Sequence, residues 1–227
     1  MKRVILHTSD GSTTIYLIDW DEHYHSKHGA IQEAYHVFIK NGLKNVYDYE
    51  INILEMGFGT GLNALVTINE YLKNDKNHVF HYFTFEKYPV NNEEIVELNY
   101  AKHFTFENSQ EIYQKIHELE WNKTHEILPN FFFTKYNLDF FKIKEINLPA
   151  INLVYYDCFG AKVQPDLWEK PLFEIVKSKM KDGGLLTTYS SKGSVRRILK
   201  ELNFEVTKLE GPKGKREMIN AVLKEPS

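Results

Sequence analysis

The 227-residue sequence has a single cysteine, Cys158, and therefore cannot form an internal disulfide. It lacks any uninterrupted apolar run of about 18 residues, the length that a membrane-spanning helix needs. Its first residues also lack the apolar segment of a secretory signal. We therefore expect a protein of the reducing cytoplasm without a membrane partner. The apolar fraction of 42% is sufficient for a substantial core.

Positive charge is not in excess over the whole chain, because the net charge is −3. Its distribution is uneven: residues 1–159 contain 22 acidic and 14 basic side chains, whereas residues 160–227 contain 9 acidic and 14 basic ones. Basic side chains bind the phosphates of nucleic acids. The basic third therefore predicts a phosphate-binding surface, formed by Lys192, Arg196, Arg197, Lys215 and Arg216. The alternative is an ordinary solvated face, and the sequence favours neither.

Strand and helix patterns alternate along most of the chain, which is typical of a parallel sheet covered by helices. Strands are predicted at residues 51–56, 78–86, 131–139, 151–157 and 185–190. Helices are predicted at residues 29–40, with a left-handed stop at Asn41-Gly42, at 62–72, 91–104, 109–119 and 194–202, and in a segment that ends near Met180 before a turn at 182–184.

A hairpin is predicted at each end of this pattern. Residues 4–18 turn at Asp10-Gly11, and residues 204–224 turn at 211–214 to form an antiparallel pair. The sequence thus predicts an α/β, Rossmann-like fold with a mostly parallel twisted sheet, a C-terminal antiparallel hairpin, and an N-terminal β-hairpin plus helix. We expect one domain, residues 1–227, in which residues 1–49 decorate a core formed by residues 50–227.

A glycine-rich loop follows the first predicted parallel strand, where such folds bind ligands. Its glycines are Gly57, Gly59 and Gly61, and Leu62 stands at the position where a dinucleotide fingerprint needs its third glycine. A Walker loop is also disfavoured, because no Gly-Lys-Ser/Thr follows. An acidic residue before G-x-G-x-G is the pattern of class I methyltransferases, whose cofactor, S-adenosylmethionine, is cationic. Glu55, Phe58 and the three glycines are therefore candidate cofactor residues, and a purely structural turn is the alternative.

Carboxylates end three later strands, and each is a candidate for the ligand crevice. Glu86 stands where a carboxylate accepts both hydroxyls of a ribose. Asp139 is expected either to face the adenine or to cap the next segment, and its position at a strand end favours the adenine. Asp157 ends a strongly apolar strand, which favours a functional role over capping.

Several segments together resemble the methyltransferase half of the MnmC-type tRNA-modifying enzymes, over nearly the entire chain. They are Gly57-Phe58-Gly59-Thr60-Gly61-Leu62-Asn63, Asp157-Cys158-Phe159, Pro165-Asp166-Leu167-Trp168, Val195-Arg196-Arg197 and Gly214-Lys215-Arg216-Glu217-Met218. The resemblance implies a class I fold, S-adenosylmethionine as cofactor, and methylation of 5-aminomethyl(-2-thio)uridine to its 5-methylaminomethyl form at the tRNA wobble position. It also implies that Tyr24, Ser26 and Glu33 lie near the cofactor.

The resemblance further implies a partner, the anticodon region of tRNA. Bifunctional members continue into a flavin-dependent oxidoreductase domain, whereas this sequence is expected to be a stand-alone methyltransferase supplied with its aminomethyl substrate by a separate enzyme. The family often has D-A-F-x-P and N-P after the fourth strand. Gly160 and Gln164 depart from that pattern, which weakens the assignment of contacts to the target base.

Methyl transfer to an amine needs a neutral nitrogen, and an aminomethyl group is largely protonated at neutral pH. Asp157 is therefore the expected catalytic residue, because a carboxylate can bind the ammonium and accept its proton. Phe159 and Lys162, in the loop after it, are expected to contact the substrate. His23, His25 and His28 are clustered, but they lack further ligands at metal spacing, and we expect no metal.

Two other functions are compatible with parts of the sequence. A polyamine aminopropyltransferase has a similar fold preceded by an N-terminal β-region, but the acid usual in its glycine loop is here Thr60. A non-catalytic tRNA-binding module would retain the fold without turnover, and the intact glycine loop and Asp157 argue against it.

Overall fold

The computed structural model describes residues 2–74 and 78–225, and within them eight strands form one central sheet. From one edge to the other their order is β10 (Phe204–Glu210), β11 (Glu217–Leu223), β9 (Met180–Thr188), β8 (Ile151–Tyr156), β4 (Glu50–Met56), β5 (Val79–Phe85), β7 (Phe131–Tyr136) and β6 (Thr124–Leu128). Strands β9, β8, β4, β5 and β7 are parallel, and β11 and β6 pair antiparallel with their neighbours. This is the mostly parallel sheet that the sequence predicts, and its antiparallel C-terminal hairpin is also as expected.

Three strands near the N-terminus, β1 (Arg3–His7), β2 (Thr13–Leu17) and β3 (Glu22–His23), form a separate small sheet. The helices are α1 (Ala30–Ala34), α2 (Leu62–Asn74), α3 (Asn92–Glu97), α4 (Ser109–Glu118), α5 (Lys170–Lys177) and α6 (Gly193–Glu201).

The central strands are buried on both faces, which explains their nearly continuous apolar sequence. Every residue of β8 is buried, and one core cluster lies on each side of the sheet. Helix α2 packs on one side, and α5 and α6 cover the other. No helix in the described ranges is both long and apolar enough to cross a membrane.

Three local predictions differ from the structure. Helix α1 continues as a π-helical turn, Tyr35–Lys40, but neither Asn41 nor Gly42 has a positive φ, so the expected left-handed stop is wrong. Gly42 is needed for another reason: a Cβ there would collide with the carbonyl oxygen of Phe38. Close approach of backbone to backbone therefore requires glycine at this position.

The helix predicted at residues 91–104 is interrupted. Helix α3 ends at Glu97, and a short 3-10 helix, Tyr100–His103, follows. Between them, the backbone N–H of Asn99 donates to Thr13 Oγ1, and the Asn99 amide donates to the Gly11 carbonyl. These bonds to the N-terminal hairpin replace the helical hydrogen bonds that the local pattern favoured.

Residues 180–184 lie inside β9 rather than in a turn after a helix. Gly183 has a φ of +75°, and the register between β8 and β9 shifts beside it, so the glycine pair forms a bulge. Strand β6 was not predicted, because its sequence, Thr-His-Glu-Ile-Leu, mixes polar and apolar residues as an edge strand permits.

Candidate active site

A cleft of about 1130 Å³ lies beyond the carboxyl ends of β4, β5, β7 and β8. The loops after these strands form its floor, and the segment from Trp20 to His28 forms much of the opposite wall. Parallel strands bring their carboxyl ends to one edge, so residues distant in sequence meet there. The N-terminal addition is therefore part of the candidate site.

The glycine loop enters this cleft through Gly57 and Gly59. Gly59 has a φ of +50°, and a Cβ there would lie 3.2 Å from the ring of Tyr24. Gly61 does not line the cleft: its φ is +72°, and a Cβ would lie 2.8 Å from His117 Nε2. Gly61 thus allows packing behind the loop, which differs from the expected cofactor contact.

Phe58 lines the cleft but is nearly fully buried. Its ring packs against His117, Trp121 and Phe133. It therefore anchors the glycine loop to the core, and its contribution to the cleft is small.

Glu86 follows β5 and faces the cleft. Its Oε2 accepts a hydrogen bond from the Gly59 N–H at 3.0 Å, and its Oε1 accepts one from the Tyr88 N–H at 2.8 Å. Burial raises the pKa of Glu86, and these backbone hydrogen bonds lower it in part. Each carboxylate oxygen has two lone pairs, so both oxygens can accept a further hydrogen bond from a ligand.

Asp157 follows β8 and also lines the cleft. Its Oδ2 accepts a hydrogen bond from the amide of Asn63 at 2.8 Å. Burial raises the pKa of Asp157 to about 7, and the Asn63 bond opposes that shift. A carboxyl group that titrates near neutral pH is suited to accept a proton from a bound amine.

Glu55 lies one strand away, and its environment is different. Its side chain is fully buried and does not line the cleft. Burial raises its pKa to about 8, with a further contribution from the negative charge of Asp157. Glu55 is therefore protonated at neutral pH and separated from the ligand space, which corrects the expectation that it faces a cationic cofactor as a carboxylate.

Asp139 has one of the two roles that the sequence left in competition, and its position is compatible with the other. Its Oδ1 caps the following 3-10 helix, Phe140–Glu145, by accepting from the Phe141 N–H at 2.9 Å. Its Oδ2 pairs with Lys87 at 3.0 Å, and the residue lines the cleft. Capping is thus established by geometry, and a ligand contact stays a prediction.

Glu33 and Lys215 form an ion pair of 2.7 Å inside the cleft. The other oxygen of Glu33 accepts from the Ser26 N–H, also at 2.7 Å, and the Lys215 ammonium lies 3.7 Å from the centre of the Tyr189 ring. The structure therefore brings Ser26 and Glu33 to the cleft as expected. It also places Lys215 there, rather than on an outer phosphate-binding surface.

An aromatic group stands next to Asp157. Phe159 makes edge contacts with Trp20, at 5.7 Å between ring centres, and with Tyr24, at 4.9 Å. All three residues line the cleft. Trp20 and Asn63 were given no role from sequence. Asn63 could have been found, because a polar residue in the first turn after a glycine loop faces the next strand end, whereas the position of Trp20 depends on how the small sheet docks.

The remaining basic candidates lie outside the cleft. Lys162, Lys192, Arg197 and Arg216 are exposed, and Arg196 is half-buried. Both guanidinium groups of α6 lie near its first residue, Gly193. The pKa of Glu217 is lowered, chiefly by a hydrogen bond from Lys208 and to a smaller extent by the positive charges of Arg216 and Arg196. The start of α6 and the start of β11 therefore bring these charges together. The turn between β10 and β11 reaches the cleft, where Gly214 packs against His28.

The three clustered histidines point to different partners. His23 packs against Tyr16 with the rings tilted and their centres 4.6 Å apart, and His25 Nε2 lies 2.7 Å from Thr60 Oγ1. With His28 against Gly214, each imidazole has its own neighbour. All three histidines nevertheless line the cleft.

Comparison with known proteins agrees with this geometry. The profile of a family described as S-adenosyl-L-methionine-dependent methyltransferases matches residues 105–224, more than half of the chain. The chain belongs to this family. Its cofactor is accordingly S-adenosylmethionine, and the protein is a methyltransferase with a class I fold.

Relatives with curated names show which kind of methyltransferase the chain is similar to. The chain is 30% identical over 220 residues to the tRNA 5-methylaminomethyl-2-thiouridine biosynthesis bifunctional protein MnmC of Leptospira interrogans. This match covers 88% of this chain and 32% of that protein. The corresponding protein of Idiomarina loihiensis is 29% identical, with 88% and 35% covered. The chain thus spans about a third of the length of these relatives.

Among solved structures, the chain is similar to MnmC2 from Aquifex aeolicus. The TM-score is 0.82 at 26% identity, and the match covers 99% of this chain and 72% of that one. The similarity to an MnmC-type methyltransferase domain expected from the glycine loop and the Asp157 segment is therefore confirmed.

Proposed function

We propose that this methyltransferase converts 5-aminomethyl(-2-thio)uridine to 5-methylaminomethyl(-2-thio)uridine at the wobble position of tRNA. The observation that carries the proposal is Asp157, a carboxyl group that titrates near neutral pH in a cleft shared with the glycine loop. The names of the MnmC relatives support the substrate class. Residues 1–227 would act as one domain, in the cytoplasm where tRNA is modified.

The residues of the cleft fit the cofactor. Gly57 and Gly59 line the cleft with backbone that carries no side chain, and Glu86 retains lone pairs for two hydroxyls. Asp139 would lie beside the adenine, and Tyr24, Ser26 and Glu33 would close the site from the N-terminal side. When bound, S-adenosylmethionine supplies an electrophilic methyl group to a nearby nucleophile.

Asp157 would prepare the amine. Its carboxylate attracts the substrate ammonium, and a pKa of about 7 allows it to accept the proton that must leave before nitrogen can attack. Asn63 fixes one carboxylate oxygen and leaves the other for the substrate. Orientation of the amine contributes further, because a bound nucleophile needs no encounter step.

The uracil ring would contact the aromatic group of Phe159, Trp20 and Tyr24 beside Asp157. Unstacked bases in RNA commonly stack on such side chains. The tRNA backbone would then contact the basic residues around the start of α6 and just before β11, defined here as the basic face: Lys192, Arg196, Arg197 and Arg216.

The direct test is methylation of tRNA isolated from cells that accumulate the aminomethyl nucleoside. Purified protein and S-adenosylmethionine are expected to convert it to the methylaminomethyl form, detected by nucleoside mass spectrometry. A parallel reaction contains decarboxylated S-adenosylmethionine and putrescine. Aminopropyl transfer without tRNA methylation would favour the aminopropyltransferase instead, and cofactor binding without either product would favour the non-catalytic module.

The basic face is tested by changing Lys192, Arg197 and Arg216 to Ala. We expect weaker tRNA binding and a shallower dependence of affinity on salt, by up to about one unit of slope for each lost phosphate contact. The matched control changes Lys102, Lys115 and Lys123, exposed residues toward the opposite edge of the sheet. Equal salt slopes for the two triple variants would show that the basic face is only solvated.

A further inference from the structure

Thr60, inside the glycine loop, makes hydrogen bonds with three side chains from other parts of the chain. Its carbonyl oxygen accepts from Tyr113 Oη at 2.9 Å and from His117 Nε2 at 3.2 Å. Its Oγ1 lies 2.7 Å from His25 Nε2. Thr60 is flanked by Gly59 and Gly61, both with positive φ, so these bonds hold the loop at its most conformationally free point.

Both histidines stay neutral over the physiological pH range, so their hydrogen bonds to Thr60 do not change with pH there. Burial lowers the pKa of His25 to about 4 and that of His117 to about 3, so both imidazoles are neutral at physiological pH. A carbonyl can only accept, so His117 must carry its proton on Nε2. With Tyr113 also donating, both lone pairs of the Thr60 carbonyl oxygen are used.

These bonds connect the loop to two elements outside the nucleotide-binding core. Tyr113 and His117 belong to α4, one turn apart on the same face. The backbone N–H of His25 donates to Thr14 Oγ1 on β2 at 3.0 Å. The loop is thus attached to the N-terminal sheet on one side and to α4 on the other.

We propose that His25, Tyr113 and His117 are positioning residues that set the affinity for S-adenosylmethionine by fixing the glycine loop through Thr60. Tyr113 and His117 do not line the cleft and act through the loop alone. The inference rests on the proposed position of the cofactor over this loop and does not depend on the tRNA substrate. A loop ordered before binding loses less entropy when the ligand arrives.

The test compares Tyr113→Phe with Tyr71→Phe. Tyr71 is an equally buried tyrosine whose hydroxyl donates to the Pro129 carbonyl, away from the cleft. Each variant loses one buried hydroxyl-to-carbonyl bond, so similar losses of melting temperature are expected. Only Tyr113→Phe should raise the Kd for S-adenosylmethionine, by about 3- to 10-fold. It should also speed amide hydrogen exchange at Gly59–Leu62 in the free protein.

The His25 bond is tested at Thr60 itself. Thr60→Val keeps the branched shape but removes the hydroxyl, whereas Thr60→Ser keeps the hydroxyl. We expect Thr60→Val to raise the Kd for S-adenosylmethionine and to speed amide hydrogen exchange in the loop. Thr60→Ser should restore most of the lost affinity and protection. Equal Kd values for Tyr113→Phe and Tyr71→Phe, or for Thr60→Val and the wild type, would overturn the inference. Failure of tRNA methylation alone would instead count against the proposed substrate.

Discussion

Strands β4 and β8 are neighbours, and each has an acidic residue at or near its carboxyl end, yet the two side chains have different surroundings. Glu55 ends inside the core, whereas Asp157 comes one residue after its strand and faces the cleft. Burial raises both pKa values, to about 8 and about 7. Because they differ in exposure, Glu55 is a buried neutral acid, whereas Asp157 can contact a substrate.

The comparison shows that an acidic residue near a glycine loop is not necessarily a ligand for a cation. In the register of the two strands Met56 is opposite Tyr156, so Asp157 stands two positions beyond Glu55. Side chains two positions apart in a strand point to the same face, so the position of Asp157 beyond the end of its strand brings it to the cleft. Tyr82, Thr84 and Asn63 adjoin Glu55 and lower its pKa in part, although neither carboxyl oxygen makes a hydrogen bond of full geometry. Three variants sharpen the contrast.

Asp157→Asn has the largest expected effect. Turnover should fall by about 10²- to 10⁴-fold, because the amide keeps the shape but cannot accept the proton of the amine. The Kd for S-adenosylmethionine, measured by calorimetry, should change little. The control is Asp166→Asn, exposed in the next helical turn and outside the cleft, which should retain wild-type turnover. Near-normal turnover of Asp157→Asn at neutral pH would remove Asp157 from the chemistry.

Glu86→Ala comes next. Loss of a carboxylate that hydrogen-bonds a ribose should weaken cofactor binding by about tenfold or more. Its melting temperature should also fall, because the N–H groups of Gly59 and Tyr88 lose their acceptor. Glu86→Gln, which retains one acceptor oxygen, is expected to lie between Ala and the wild type. Unchanged calorimetric affinity in both variants would place the ribose elsewhere.

Glu55→Gln should have the smallest effect on binding, with a Kd for S-adenosylmethionine within about twofold of the wild type. Its effect should appear in stability. Folded Glu55 keeps its proton up to about pH 8, whereas the unfolded chain releases it near 4.5, so its stabilising contribution is full below 4.5 and is lost as the pH rises through 8.

Denaturant unfolding between pH 4.5 and 8 measures this linkage. The decline of the unfolding free energy with pH should be shallower for Glu55→Gln, and the remaining slope should come partly from Asp157, whose pKa is raised in the same direction. A large loss of cofactor affinity in Glu55→Gln, with an unchanged pH slope, would restore the sequence-based view of Glu55 as a charged ligand.

Local sequence was sufficient for those parts of the fold whose pattern reflects burial. The apolar runs of β4, β5, β7 and β8 predicted a parallel sheet, and the order of strand and helix then placed the glycine loop, Glu86, Asp139 and Asp157 at one edge. Edge strand β6 and the break after α3 could not be predicted, because solvent exposure and contacts with the N-terminal hairpin decide them.

The sequence by itself determined the fold class, the family resemblance and the strand ends at which the cleft opens, since periodicity and glycine spacing are local properties. Only the tertiary structure decided which of those residues meet. It buried Glu55, paired Lys215 with Glu33, and set His25, Tyr113 and His117 around Thr60. These contacts join segments up to 182 residues apart, and no local pattern encodes such pairings, because they depend on how whole elements pack.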